Sequence, residues 1–280
     1  MPRYQTRRAV LKTIGGAATA AGLMGTVSAR RQSGDRNRRR GTRYAAFNVI
    51  ELETEQVQAR GDEQAEAAAR VVQEVRPDVL VVNELTNNLQ EGEHTDTANI
   101  DAFVENYLSV PQRDDFEGVD YEHTLQPDSN TGVLPEEDYD FNKDGEAGAR
   151  PGDAFGFGEY PGHYAFAVAS KYPIAESEVR SFRTFKWADM PDNLVPVAGE
   201  EGVVTDPADD ETAIYLTEDE LDVYRLSSKT HVDVPFRVEG ETVHGLFAHP
   251  TPPGFDGVNN FNGKWNHDEV RFFADYVAGE

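Results

Sequence analysis

Three polar residues stand at the ends of apolar runs of the kind that form buried strands: Asn48 after YAAF, Glu84 after VLVVN and His249 after VHGLFA. Taken singly, an Asn or Glu at a strand end is an ordinary turn residue, and a lone His is a hydrogen-bonding partner. Strand ends of one sheet layer lie side by side, so three such residues converge on one edge, where layered α/β folds build their sites. Glu84 poses the sharpest question. A carboxylate at the end of a covered strand is costly to desolvate unless donors or a cation compensate, which leaves a local cap or a bound metal.

A second group is Asp140, Asn142 and Asp144 in the run D-F-N-K-D-G. Oxygen ligands at alternate positions followed by Gly open a Ca²⁺ loop. Its twelfth position is Pro151 rather than the bidentate Glu, so Glu146 or Asp153 would have to substitute; an Asx-rich turn explains the same residues. Ser228 with His249 would suit a serine hydrolase, but the chain has no Gly-x-Ser-x-Gly elbow.

The elements that would position these residues follow in order. Tyr44–Ile50 reads as a first strand, and residues 55–75 as a helix with Ala65, Ala68, Ala69, Val72 and Val75 on one face. Arg76–Leu85 is a strand covered on both faces, with the helix before it stopped at Pro77. Ile100–Leu108 is a second helix. Residues 111–162 are rich in Gly, Pro, Asp and Asn and form a long elaborated loop, with a brief strand at 121–124. Strands follow at 163–170, 222–234 and 242–248, the last two joined at Val238–Glu241 by a Gly-containing hairpin turn. Asn266–Val277 closes the chain as a helix with Val270, Phe273 and Val277 on one face.

Charge divides the 280 residues sharply. Residues 1–43 carry a net +10 within an overall −25, which leaves −35 on the rest. The opening TRRAVLK followed by the small, weakly apolar run Ile14–Val27 has the form of a twin-arginine signal, with Val27-Ser28-Ala29 as cleavage site. The domain plan is a signal peptide over 1–29, a basic disordered linker over 30–43 and a folded domain over 44–280. Secretion through the twin-arginine translocase follows, with no stable membrane span. With no Cys there are no disulfides. Fifty acids against fifteen Lys and Arg in residues 44–280 suit concentrated salt, where the Debye length shrinks to about 3 Å at 1 M and self-repulsion is screened.

Five segments in order carry a family resemblance: FNV with Asn48, RPDVLVVNEL with Glu84, GHYAFAVASKYPI, RLSSKTHVDVPF and HGLFAHPTPPGFDG. Together, over residues 43–278, the chain resembles the endonuclease/exonuclease/phosphatase superfamily, the group of deoxyribonuclease I. The resemblance implies a four-layer α/β sandwich of two mixed β-sheets flanked by helices. It implies a divalent-metal site, Mg²⁺ or Mn²⁺, at Asn48 and Glu84, with His249 contacting the scissile phosphate. Tyr160, His163, Arg225 and Lys229 fall in segments that line the phosphate site. Relatives continue to a Gly-Asp-x-Asn strand and a Ser-Asp-His segment that this chain lacks, so the expected fold is incomplete at its C-terminus and the catalytic set truncated. The resulting expectation is a metal-dependent phosphoesterase impaired by truncation; the rival is a non-catalytic secreted protein that binds phosphate or calcium. With −35 on the domain there is no basic groove for a nucleic-acid backbone. Small phosphoesters and lipid headgroups gain weight as substrates, although strong salt screens repulsion and keeps nucleic acid among them.

Overall fold

Val79–Leu85 forms the strand β2, and Val79, Leu80, Val81 and Val82 are all buried. Alternate side chains enter two different cores. Leu80 and Val82 pack with Ala65, Ala69, Val72, Ile100, Phe103 and Leu108, whereas Val79 and Val81 pack with Val232, Val234 and Phe236. Each such burial stabilises the fold by roughly 1.5–3 kcal/mol. A strand apolar on both faces thus becomes an interior wall between a helix layer and a second sheet.

This computed structural model describes residues 41–89 and 94–279. The expected signal peptide and all of the basic linker before residue 41 lie outside them. The linker's last residue is ordered: the Arg43 N–H donates to Asp78 at 2.9 Å, and its carbonyl accepts from the Asp78 and Val79 amides.

The first sheet has the order β1-β2-β4-β3. It comprises β1 (Tyr44–Leu52), parallel to β2, then β4 (Phe166–Ser170) and β3 (His123–Leu125), each antiparallel to its neighbour. The second sheet contains β5 (Arg180–Ser181), β6 (His231–Val238) and β7 (Glu241–Ala248). Its pairings are all antiparallel, so only the first of the two expected mixed sheets is mixed. The β6–β7 turn places Glu239 and Gly240 at φ 51° and 93°, the paired positive angles of a tight hairpin. Helices α1 (Thr54–Gln58), α2 (Glu63–Val75) and α3 (Ala98–Phe103) lie on the first sheet, α3 running on into a π-helical turn at Val104–Leu108. The short α4 (Glu218–Leu221) belongs to the acidic insertion, and α5 (Phe261–Ala278) covers the outer face of β6, where Phe272 meets His231 and the Tyr276 hydroxyl donates to Asp233. The fold is a four-layer α/β sandwich.

Several expected elements are redrawn. The single helix over 55–75 is two, because Gly61 takes φ 101° and Asp62 then caps α2 by accepting from the Gln64 and Ala65 amides. Residues 222–230 are not strand; their backbone is diverted to other segments, as where Asn130 donates its N–H to the Lys229 carbonyl and its side chain to that of Ser227. The face of α5 is also different. Val270 and Val277 are exposed, while Phe261, Trp265, Asp268, Glu269 and Phe272 are buried. Trp187 and Trp265 stack at 6.0 Å inside an aromatic cluster with Tyr224 and Phe261, so they pack the core and are not available to bases.

Buried polar groups join α5 to β6. The His231 ring accepts from the Ser227 hydroxyl at Nδ1 and donates from Nε2 to the Glu269 carbonyl, both at 2.7 Å. Burial pushes its pKa down to about 4, against the backbone bond that favours the charged ring. A depressed folded pKa means that this stability is complete above about 6.5 and is lost as pH falls toward 4, to a limit of about 3 kcal/mol. Urea unfolding in strong salt is expected to show wild type losing about that much more than His231→Gln between pH of about 7.5 and about 4. Equal losses in the two proteins would rule this out.

Candidate functional site

The parallel pair β1·β2 brings the two strand ends into register, with Asn48 opposite Asn83. Beyond that point the register breaks before Leu52. Ile50 and Glu51 take φ 58° and 57°, and Glu84 takes 65°. A β-branched Ile in this region is strained, by roughly 1–3 kcal/mol. Asn48 offsets part of that cost by accepting the Ile50 N–H at 2.8 Å through Oδ1. Pairing resumes beyond the break, with Leu52 opposite Leu85, so the irregularity is a bulge near the strand ends, of the kind found beside functional sites.

The Glu84 carboxylate is three-quarters buried, and it meets two of its expected companions. His249 Nε2 lies 3.4 Å from Oε1, and Asn48 hydrogen-bonds the same carboxylate. Burial alone would push the Glu84 carboxyl up. The bonds from His249 and Asn48 and the charges of His249 and Lys229 outweigh it and hold the carboxyl below its ordinary value. His249, 16% exposed, is pushed down by burial against the opposing bond from Glu84, with Lys229 adding to the depression. At neutral pH the site therefore holds a carboxylate, a neutral imidazole and the Lys229 ammonium, which is 7% exposed.

The remaining expected residues divide. His163 is buried with its Nε2 2.9 Å from Glu51, its Nδ1 accepting from the Glu159 amide, and Tyr160 stacked on its ring at 4.5 Å. The Tyr160 hydroxyl is 3.3 Å from Thr86 Oγ1, two residues beyond Glu84. These two therefore flank the strand ends. Arg225 turns elsewhere: its guanidinium lies over Phe155 at 3.9 Å and donates to Asn130 at 2.6 Å, and burial, followed by the charge of Arg183, lowers its pKa to about 10. A cleft of 420 Å³ opens beside Thr86 and Tyr160, lined also by Glu53, Glu55 and Asn87.

Asp140 and Asp144 spend their oxygens on backbone amides. Asp140 accepts from Asp144 and Gly145, and Asp144 from Glu146. Asn142 accepts from the Asp144 amide and donates to its side chain. Buried Asp153 accepts from Phe141, Asn142 and Ala149. Among the described residues no three His, Cys, Asp or Glu side chains gather closely enough to hold a metal by themselves. Ser228 donates to Glu269 and not to His249, which removes the serine-hydrolase pairing.

Two residues near the site were not anticipated. Asn83 Oδ1 is buried and finds no donor among the described residues, directly beside Glu84. Glu269 of α5 is buried beneath Lys229, and burial raises its pKa to about 7 against the opposing pull of Lys229 and three hydrogen bonds. The signal for it was present in the sequence: Trp265, Asp268, Glu269 and Phe272 share one helical face, so acids flanked by aromatics at core spacing mark buried, partnered carboxylates.

The model of the Endonuclease/Exonuclease/phosphatase family matches residues 56–271. No curated protein matches the chain. Among solved structures, an endonuclease/exonuclease/phosphatase from Beutenbergia cavernae DSM 12333 is 16% identical, with a TM-score of 0.39 over 84% of this chain and 44% of its own. A beta hairpin deletion mutant of beta toxin from Staphylococcus aureus is 14% identical, with a TM-score of 0.37 over 85% of this chain and 61% of its own. A double mutant of the same toxin, with bound magnesium ions, is 14% identical, with a TM-score of 0.35 over 85% and 59%. The chain thus spans 44–61% of the length of these structures. No helix of the described residues is long and apolar enough to cross a membrane. The family match covers most of the folded part, and the chain belongs to the endonuclease/exonuclease/phosphatase family, a group of phosphoester hydrolases.

Proposed function

We propose that this protein is a secreted, salt-adapted phosphoesterase of the phosphodiesterase or phosphatase type that depends on Mg²⁺ or Mn²⁺. The observation that carries the reading is the meeting of Asn48 and Glu84, at the ends of β1 and β2, with His249 and Lys229, which flank β7 and β6; the group is drawn from both sheets and not from one edge as the sequence suggested. The donor set fits a hard cation. Glu84 supplies an anionic oxygen, Asn48 an amide, and the unpartnered Asn83 Oδ1 an acceptor for a bound water, which matches the preference of Mg²⁺ for one or two carboxylates and retained waters. Such a cation, when bound, polarises the phosphoryl oxygen and neutralises developing charge.

The chain's own residues do the rest. Lys229 presents a fixed positive charge for the phosphate, and the neutral imidazole of His249 holds or takes up a proton at the reacting oxygen. Tyr160, backed by the ring of His163 that Glu51 aligns, borders the adjoining cleft where the rest of the substrate would lie. The acidic lining from Glu53 and Glu55 favours small phosphoesters or lipid headgroups over a long polyanion. Export by the twin-arginine translocase and adaptation to salt rest on the composition described above. The single carboxylate at the site is what favours the second reading, a protein that binds phosphate or calcium without turnover.

The test uses the purified full-length chain in molar salt, with bis(p-nitrophenyl) phosphate and p-nitrophenyl phosphate as substrates. Hydrolysis is expected with Mg²⁺ or Mn²⁺ and not with EDTA, and both activity and circular dichroism should fall on dialysis to low salt. No turnover with any divalent ion would leave the binding reading; unchanged dichroism in low salt would remove the salt adaptation.

A further inference from the structure

The chain from His249 to Gly254 reads His-Pro-Thr-Pro-Pro-Gly. Pro250, Pro252 and Pro253 have no N–H, so Thr251 carries the sole backbone donor between His249 and Gly254. That donor goes to Glu269 Oε2 at 2.6 Å, and the Thr251 carbonyl accepts from the side chain of Asn266, one turn earlier on α5, at 2.7 Å. The other oxygen, Glu269 Oε1, accepts both the backbone N–H and the hydroxyl of Ser228 at 2.8 Å, and Ser228 immediately precedes Lys229. Glu269 is 1% exposed, so it belongs to no solvent-facing network.

One buried carboxylate therefore joins three segments that are distant in sequence: α5, the loop that bears His249 and the lead-in to β6 that bears Lys229. We propose that Glu269 is a positioning residue, which fixes His249 and Lys229 relative to each other by holding Thr251 with one oxygen and Ser228 with the other. The proposal rests on the reading of His249 and Lys229 as site residues. The prolines make it effective, because the stiff Pro250–Pro253 segment transmits a fixed Thr251 to His249 two residues away. The Lys229 ammonium adds charge to the same arrangement, donating to Ser228 Oγ at 3.3 Å.

The test is E269Q, which keeps shape and volume but replaces one acceptor oxygen with an amide that only donates, so either Thr251 or Ser228 loses its partner. In the full-length protein in molar salt, kcat is expected to fall about 10- to 100-fold, as for other residues that orient site groups, with KM changed less than about threefold. Thr251 amide exchange should quicken by at least about tenfold while far-UV dichroism is unchanged. S228A leaves both carboxylate oxygens in place and is expected to keep Thr251 protection, with kcat lowered less than about fivefold. Wild-type kcat together with wild-type Thr251 protection in E269Q overturns the proposal, as does a larger loss in S228A than in E269Q. If E269Q does not fold, the wild-type protein decides: a Thr251 amide protected by less than about a hundredfold over an unstructured chain overturns it. If wild type hydrolyses nothing, the phosphoesterase reading has failed by itself, and the exchange of Thr251 in E269Q still decides the role of Glu269.

Discussion

Glu84→Gln is expected to lower divalent-dependent kcat/KM by about a thousandfold while leaving the fold intact. Glutamine has the same volume and one of the two oxygens, so the apolar run behind it, Val79–Val82, keeps its packing. What disappears is the negative charge that Asn48, His249 and Lys229 surround. A hard cation held by one protein carboxylate loses its principal anchor with that charge, and transition-state stabilisation of several kcal/mol, about 1.4 kcal/mol per tenfold, goes with it. Fold stability should fall as well, though far less than activity, because the donors and charges that hold the Glu84 carboxyl below its ordinary value favour the charged group over a neutral amide. The checks are steady-state kinetics across a Mg²⁺ titration and urea unfolding of the same preparation. Activity within about tenfold of wild type at saturating Mg²⁺ would show that Glu84 is a capped strand end and not a metal anchor.

How much of this was legible follows the physics of each element. The unbroken apolar run Val79–Val82 could only be an interior strand, and it is buried on both faces as its pattern requires. The polar residues that end such runs are conspicuous, because nothing in the core explains them; Asn48, Glu84 and His249 meet in space. The left-handed angles at Ile50, Glu51 and Glu84 were not legible. Their residue types disfavour that conformation, and it goes with a break in the β1–β2 register that no local pattern announces. Arg225 is a basic residue in the expected segment, yet no local pattern tells that Phe155 and Asn130 will take its guanidinium.

Residues 222–230 and α5 failed for a related reason. Val223, Tyr224 and Leu226 have strand-like composition, but the backbone there bonds to loop residues instead of to a sheet neighbour. Along α5, hydrophobicity alone selected Val270, Phe273 and Val277. The buried side includes Asp268, which accepts from the Trp187 indole and the Leu194 amide at 2.7 Å, and Glu269. A fully hydrogen-bonded carboxylate can occupy a core position that a hydrophobic scale assigns to solvent.

His249→Gln is expected to lower kcat by between about a hundredfold and ten-thousandfold, the range over which a positioned proton-transfer group acts. Glutamine reaches a similar distance and can still donate to Glu84, so the loss measures the imidazole's ability to take and release a proton rather than its bulk. The contact between His249 and Glu84 makes a stronger test than either substitution alone. Residues that touch and act on one event do not contribute independently. The Glu84→Gln, His249→Gln double variant should therefore lose little more than the worse of the two singles, where independent roles would multiply the losses to roughly 10⁵-fold or beyond. Kinetics on all four proteins at saturating Mg²⁺ separates the cases. Multiplying losses would mean that His249 serves a step in which Glu84 takes no part, and the two strand ends would then be neighbours without being one site.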